Sequence, residues 1–309
     1  MHRSLIVTIL LATLALPSTG QADDRLVIGV PPWDGAQAKT AVVSEILQAM
    51  GYSVEILEAS APMVFQAMAR GEVDINLSAW KPGQDEAFQP LVDAGDIRIL
   101  GENLSGAWTG LAVPEAVYQA GLDSKARLTE FADRLDSTIQ CIEPGSGAVA
   151  VTEAAIENDH YGLSDWNLMT TSTAGMLSQV GRSIDRDEWV VFCGWSPHWM
   201  NLRYEMRFLE DPENHWGNEG NGTRVYTLVR KGFSEDFPDV AKFLGRFHVE
   251  SEVQSYWIKE YAYRDRSLEE MAVQWITDHP EIVGQWLEGL QTRDGHEAVE
   301  AVGRRFDGQ

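Results

Sequence analysis

The chain is short of cysteine, short of positive charge, and carries only one long apolar run. Cys141 and Cys193 are the only cysteines in 309 residues, too few for a disulfide-dense scaffold or a cysteine-rich metal site. Both stand in apolar, strand-like runs just ahead of turns. An oxidising compartment permits a bridge between them, and two buried thiols fit the same residues. Lys and Arg number 24 against 47 Asp and Glu, a formal charge of −23. Such a chain repels phosphate backbones and anionic lipid, which makes nucleic acid and membrane surfaces poor partners.

Hydrolytic signatures are also lacking. There is no H-E-x-x-H, and His160, His198 and His215 are too scattered for zinc spacing. Pro144-Gly145-Ser146-Gly147 lacks the G-x-S-x-G spacing of a nucleophile elbow, and Ser196 and His198 stand too close together for an ordinary triad. An exported enzyme is therefore the weaker reading. No internal repeat or low-complexity linker is visible.

Residues 1–22 read as a cleavable secretory signal, with Arg3, an apolar run Leu5 to Leu16 and a small-residue site at Gly20-Gln21-Ala22. The run is too short to span a bilayer, and no later stretch reaches the length of a membrane helix. A soluble periplasmic protein starting near Asp23, with a formal charge of −24, is expected.

The rest reads as alternating strands and helices. Strands are predicted at 26–30, 54–57 and 73–77, with helices over 39–50 and 62–70 between them, an order that implies a parallel sheet with helices on both faces. After a longer strand at 105–113 the pattern begins afresh. Helices near 115–120 and 128–135, a strand at 138–142, a helix to 158, a strand at 166–169, a helix at 174–184 and a strand at 190–193 form a second β/α unit. A strand at 224–229 returns the chain, and helices follow at 240–247, 252–261, 268–278 and 282–290. Two lobes are expected, one from residues 23–110 and 227–309 and the other from 111–226. Two crossing strands between them make a hinge.

Tryptophan is abundant, at 11 residues. Trp33, Trp80 and Trp195 fall just after or at the end of predicted strands, and Trp108 lies in the first crossing strand; strand ends are where open α/β sheets bind ligands. Aromatic faces turned toward one point attract a methylated cation that hydrogen bonds cannot satisfy. A place in the core fits Trp195 equally well. Packing explains the other seven, Trp166, Trp189, Trp199, Trp216, Trp257, Trp275 and Trp286.

Five motifs in order carry a family resemblance: Trp33-Asp34; Ser78-Ala79-Trp80-Lys81-Pro82; Gly101-Glu102-Asn103-Leu104-Ser105-Gly106; Ile142-Glu143-Pro144-Gly145-Ser146-Gly147; and Gly194-Trp195-Ser196-Pro197-His198-Trp199-Met200. From about Leu26 to Leu290 the chain resembles the glycine betaine and quaternary-amine binding proteins of ABC importers. That resemblance implies the type II periplasmic-binding-protein fold, two mixed and mostly parallel sheets with helices on both faces, closing over a ligand. It implies a trimethylammonium cage of Trp33, Trp80 and Trp195. Trp108 stands where the choline-binding branch is aromatic, which suggests a four-sided box. Backbone N–H groups of Gly147 and Ala148 hold a carboxylate in betaine binders of this pattern, assisted by a His where this chain has Asp85. Asp85 facing a carboxylate would repel it, so betaine is disfavoured unless Asp85 turns away.

Choline and trimethylamine N-oxide escape that penalty. The small four-indole box favours the N-oxide and resembles the N-oxide binders of the family, with Glu143 placed to supply a hydrogen bond if protonated on closure. Glu143 fits equally as a cap on its own turn or on the following helix, and Asp34 fits as either a ligand contact or a helix N-cap. The implied partners are a small methylated amine and an inner-membrane permease with its ATPase, the binding protein itself being a monomer. A receptor-coupled sensor would share the same pocket. No cofactor is required. Asp211, Glu213, Asn218, Glu219 and Asn221 supply oxygens in a Gly-containing loop and form a weak Ca²⁺ candidate, though without EF-hand spacing.

Overall fold

The computed structural model describes residues 24–217 and 222–306; the signal segment at 1–22 lies outside them. Among the described residues ten strands are joined by hydrogen bonds, eight of them in one path. In chain order they are β1 (Arg25–Val30), β2 (Ser53–Glu58), β3 (Ile75–Lys81), β4 (Ile97–Pro114), β5 (Thr138–Cys141), β6 (Asn167–Thr170), β7 (Val191–Ser196), β8 (Met206–Phe208), β9 (Thr223–Arg230) and β10 (Val249–Glu250). They run β2-β1-β3-β9-β4-β7-β5-β6 across the molecule, with β8 and β10 joining β4. The pairs made by β-α-β units, β1 with β2 and β3, and β5 with β6 and β7, are parallel. The pairs of β9 with β3 and β4, and of β4 with β7 and β8, are antiparallel.

β4 is the shared element. Its first part pairs with β9 in one sheet and its last part with β7 and β8 in the other, so one 18-residue strand runs through both lobes. Each lobe has its own interior. Leu26, Ile28, Val42 and Ile46 pack with Trp257, Trp275 and Trp286 of the C-terminal helices, while Val27, facing the other way on β1, joins Val64, Phe65 and Phe88 on the opposite face of the same sheet. That alternation along β1 puts helices on both sides. The second core gathers Leu111, Ile139, Val149, Val180, Val191 and Phe192.

The helices that matter for the site are α1 (Asp34–Ala49), α2 (Ala61–Ala69), α3 (Asp85–Asp93), α4 (Glu115–Gln119), α5 (Gly147–Glu157) and α6 (Thr173–Asp185). α1 starts five residues before the predicted Lys39. Gly35-Ala36-Gln37-Ala38 shows no apolar stripe, yet Asp34 in the first turn complements the helix dipole and lets the helix begin immediately after Trp33. α3 was not expected, because Pro82, Gly83 and an internal Pro90 suggest a loop; two acids in its first turn and buried Phe88 hold it. The expected strand at 105–113 is the end of a longer one. The segment expected as a helix near 128–135 is a 3₁₀ stretch, Lys125–Arg134, and the one expected over 252–261 ends in a π turn, Lys259–Tyr263.

The two cysteines form a disulfide, Cys141–Cys193, with Cα atoms 4.9 Å apart. β5 and β7 pair as Ile139 with Val191 and Gln140 with Phe192, so the cysteines fall on the next rung of neighbouring strands.

Candidate functional site

Trp33 leaves β1, Trp80 ends β3 and Trp195 lies near the end of β7, and all three line one cavity of about 50 Å³. That volume suits one compact head group. Pro197, Ile142, Ala36 and Ala148 complete its apolar walls. Trp80 packs against both cores, so the aromatic wall spans the two lobes. Trp195 is 8% exposed, and its exposure is toward this cavity rather than a sealed interior.

Trp108 does not join them. On β4 it pairs with Ser196, whereas Thr109 pairs with Trp195. Directly paired residues share a face of a sheet, so Thr109 turns into the cavity with Trp195 and Trp108 turns away. The Trp108 ring is 39% exposed and sits edge-on to Phe208 at 6.4 Å. Of the four indoles, three line the cavity.

The polar end is built from groups left over by secondary structure. Gly147 and Ala148 open α5, where the first N–H groups of a helix have no intrahelical acceptor, and both line the cavity. Ser146 caps α5 by accepting the Val149 N–H at 3.3 Å. Gln84 is buried beside them: its Oε1 accepts the Trp80 N–H at 2.8 Å, and its Nε2 is buried with no partner. Gln254 also lines the cavity, with Oε1 unpartnered. Nothing in the sequence marks Gln84, an uncharged residue in the turn after Pro82-Gly83. Asp85 lies outside the lining; its Oδ1 is buried without a hydrogen bond and stands 3.4 Å from Lys81 Nζ.

Glu143 and Asp34 serve the cleft differently from the expectation. Neither is part of the cavity lining. The Trp33 Nε1–H donates to Glu143 Oε1, and Glu143 Oε2 accepts from the N–H and Oγ1 of Thr173, both at 3.2 Å. Glu143 thus caps α6, not the helix that follows its own turn. In the opposite sense, the Trp199 Nε1–H donates to Asp34 Oδ2 at 2.9 Å, and His198 Nε2 lies 3.5 Å from the same oxygen. Two indole N–H groups therefore reach across the cleft in opposite directions. Trp199 was expected only to pack; its place beside the W-S-P-H motif was the available signal. His198 Nδ1 accepts the Met200 N–H at 3.1 Å, which leaves Nε2 carrying the proton of the neutral ring. Burial pushes the His198 pKa below its ordinary value, with Asp34 pulling the other way.

Two glycines let the rims meet. A Cβ on Gly147 would stand 2.9 Å from the carbonyl carbon of Gly83, and one on Gly83 would stand 3.1 Å from the Gly147 Cα. Backbone touches backbone there, which only glycine permits.

Two of the five Ca²⁺ candidate residues lie among the described residues, and both have protein partners. Asp211 accepts from the Tyr161 hydroxyl and the Trp216 N–H, each at 2.7 Å, and faces Lys125 at 3.7 Å. Glu213 meets His215 at 2.9 Å. Asn218, Glu219 and Asn221 lie outside the described residues. Among the described residues no three His, Cys, Asp or Glu side chains cluster as a metal site, and no helix is long and apolar enough to cross a membrane.

The family model for the substrate binding domain of ABC-type glycine betaine transport systems matches residues 24–278. The glycine betaine/carnitine transport binding protein GbuC of Listeria monocytogenes is 34% identical over 168 residues, 54% of this chain and 55% of that protein, so the match spans about half of the relative's length. Among solved structures, an ABC-transporter choline binding protein in complex with choline has a TM-score of 0.88 at 26% identity, covering 92% of this chain and 98% of that one. Lactococcal OpuAC in its closed form with glycine betaine has a TM-score of 0.77 at 28% identity, covering 85% and 98%.

Proposed function

Because the chain belongs to the family of substrate-binding domains of ABC-type glycine betaine transport systems, a family of transport binding proteins and not of enzymes, we propose that it captures a small methylated amine between its lobes and presents it to a membrane permease with its ATPase. On this reading one lobe comprises residues 23–110 and 227–309 and the other 111–226, and the protein works in the periplasm after removal of residues 1–22. The observation that carries it is the convergence of Trp33, Trp80 and Trp195 on one small cavity whose far end offers unused N–H donors. Each indole face contributes about 0.5–2 kcal/mol toward a desolvated trimethylammonium group. Three of them with two or three hydrogen bonds to an oxygen support micromolar capture, about −8 kcal/mol, after association costs.

Trimethylamine N-oxide is the ligand this reading favours. Its methyl groups take the indole faces, and its oxygen, one bond from nitrogen, accepts from Gln84 Nε2 or the Gly147 and Ala148 amides. Glycine betaine is the second reading, favoured by those same amides and by Asp85 turning toward Lys81. Binding closes the lobes and selects the state the transporter recognises.

Calorimetric titration with trimethylamine N-oxide, glycine betaine, choline, carnitine and dimethylsulfoniopropionate tests the reading. One-to-one binding that is tightest for the N-oxide, with quenching of Trp fluorescence and no product formed, is expected. Tightest binding of carnitine would sink the small-ligand reading, and no binding of any methylated amine would sink the whole assignment.

A further inference from the structure

The cavity wall contains a lysine that the aromatic box does not require. Lys39 lies in the second turn of α1, is 1% exposed and lines the same cavity as the indoles. Its ammonium donates to the Leu77 carbonyl at 3.3 Å and to Asn103 Oδ1, both neutral acceptors. Asn103 is itself tied to the Leu77 carbonyl at 3.1 Å and to Thr227 at 2.9 Å, so the lysine is held by a buried polar network and cannot swing to solvent without breaking it.

The acidic groups on α1 and on the elements around it are each engaged elsewhere. On α1 itself, Asp34 holds Trp199 and faces His198, and Glu45 faces Arg305. Asp74 ahead of β3 binds Arg230, Glu102 of β4 faces Arg224, and Glu143 holds Trp33 and Thr173. Glu260, after the helix at Ser251–Ile258, binds Arg264 and Arg266. Beyond Asp85 lies Lys81, its own partner. Among the described residues Lys39 makes no ion pair.

A buried cation without a counter-ion is costly unless something brings the opposite charge. We infer that Lys39 sets the charge selectivity of the site: its ammonium is the counter-charge for the ligand's oxygen and opposes any ligand that carries only a methylated cation. The inference rests on the methylated-amine reading and narrows it to ligands that are neutral overall. Burial lowers the Lys39 pKa from 10.5 to about 7, so near neutrality the empty site is divided between charged and uncharged lysine. An oxygen-bearing ligand draws a proton onto Lys39, and choline, with its fixed positive charge and neutral hydroxyl, drives one off. Affinity for the N-oxide and for betaine then falls as pH rises through 7, whereas affinity for choline rises. His198 titrates below this window, because burial lowers it from 6.5.

The wild-type protein can be tested directly. Calorimetry at pH 7 in two buffers of different ionisation enthalpy counts protons on binding; uptake of up to about half a proton with trimethylamine N-oxide or betaine, and release of a similar fraction with choline, is expected. In Lys39→Met both counts should vanish, and the ratio of choline Kd to N-oxide Kd should fall at least tenfold. Counts of zero or of the same sign for the two ligand classes in wild type overturn the inference whether or not the variant folds, as does an unchanged ratio in a folded variant. Binding without proton linkage refutes Lys39 alone; no binding of any methylated amine removes the ligand reading and the inference together.

Discussion

Gly147→Ala is the sharpest probe of closure. The added methyl would meet the Gly83 carbonyl carbon at 2.9 Å, its oxygen at 3.0 Å and its Cα at 3.1 Å. All three are backbone atoms, so no flexible side chain can move aside, and the Ser146 cap with the first turn of α5 holds the other partner. Relief requires the two rims to separate by several tenths of an ångström. Gly147 has no positive φ, so alanine is tolerated in its own backbone conformation and its N–H is kept; the cost falls on the closed state. Overpacking of this kind costs about 1–3 kcal/mol, which is about 5- to 160-fold in Kd. Calorimetric titration should show that loss, while the thermal midpoint without ligand stays near wild type. Gly83→Ala should cost a similar amount, and the double variant less than the sum, since both report one contact. Gly245→Ala, where an added methyl meets nothing within 4 Å, is the control. A Gly147→Ala protein that binds within twofold of wild type would refute closure on these backbones.

Trp195→Ala should weaken ligand binding at least tenfold while Trp108→Ala stays within about threefold, both read by titration; equal losses would restore Trp108 to the box. Reducing the disulfide closes no native gap but frees a 52-residue separation in the unfolded chain, so stability should drop by about 2–4 kcal/mol in urea unfolding with little change in Kd. For His198, the folded protein binds the proton less readily than the unfolded chain, whose value is 6.5. Its contribution is therefore complete above pH 6.5 and declines as pH falls below it. Urea midpoints between pH 5 and 8 should show that decline in wild type and a flatter profile in His198→Asn; identical profiles would exonerate His198.

Much of the fold was legible because it rests on long apolar runs. LVIGV at 26–30 and the run before Gly194 are buried strands whose neighbours must be helices on both faces, and Gly51 and Gly71 stop helices where expected. Boundaries set by polar or short elements were not legible. α3 hides behind Pro82 and Pro90, the start of α1 has no apolar stripe, and β8 is three residues long. The disulfide is a matter of register: two strands separated by helix α5 and β6 in sequence become neighbours only in the sheet.

Which residues face the cavity depends on the face each element turns toward it. A strand turns successive side chains to opposite faces, so displacing a functional assignment by one residue exchanges a wall of the cavity for a surface group. Trp108 was chosen over Thr109 because an indole is the more conspicuous partner for a methylated cation, yet it is Thr109 that shares a face with Trp195. Asp85 stands where the resemblance implies a His, yet it is the preceding residue, Gln84, with its Nε2 unpartnered, that lines the cavity. A helix shows the same dependence: with α1 starting at Asp34, Lys39 falls on the buried face of the second turn. Chemistry identifies which segments converge on a cleft, but the face each residue presents is fixed by where its element begins. On the proposed reading Gln84 meets the ligand's oxygen and Asp85 does not, so exchanging Gln84 for Glu should weaken capture of an oxygen-bearing ligand far more than exchanging Asp85 for Asn, a difference that titration of the two variants measures directly.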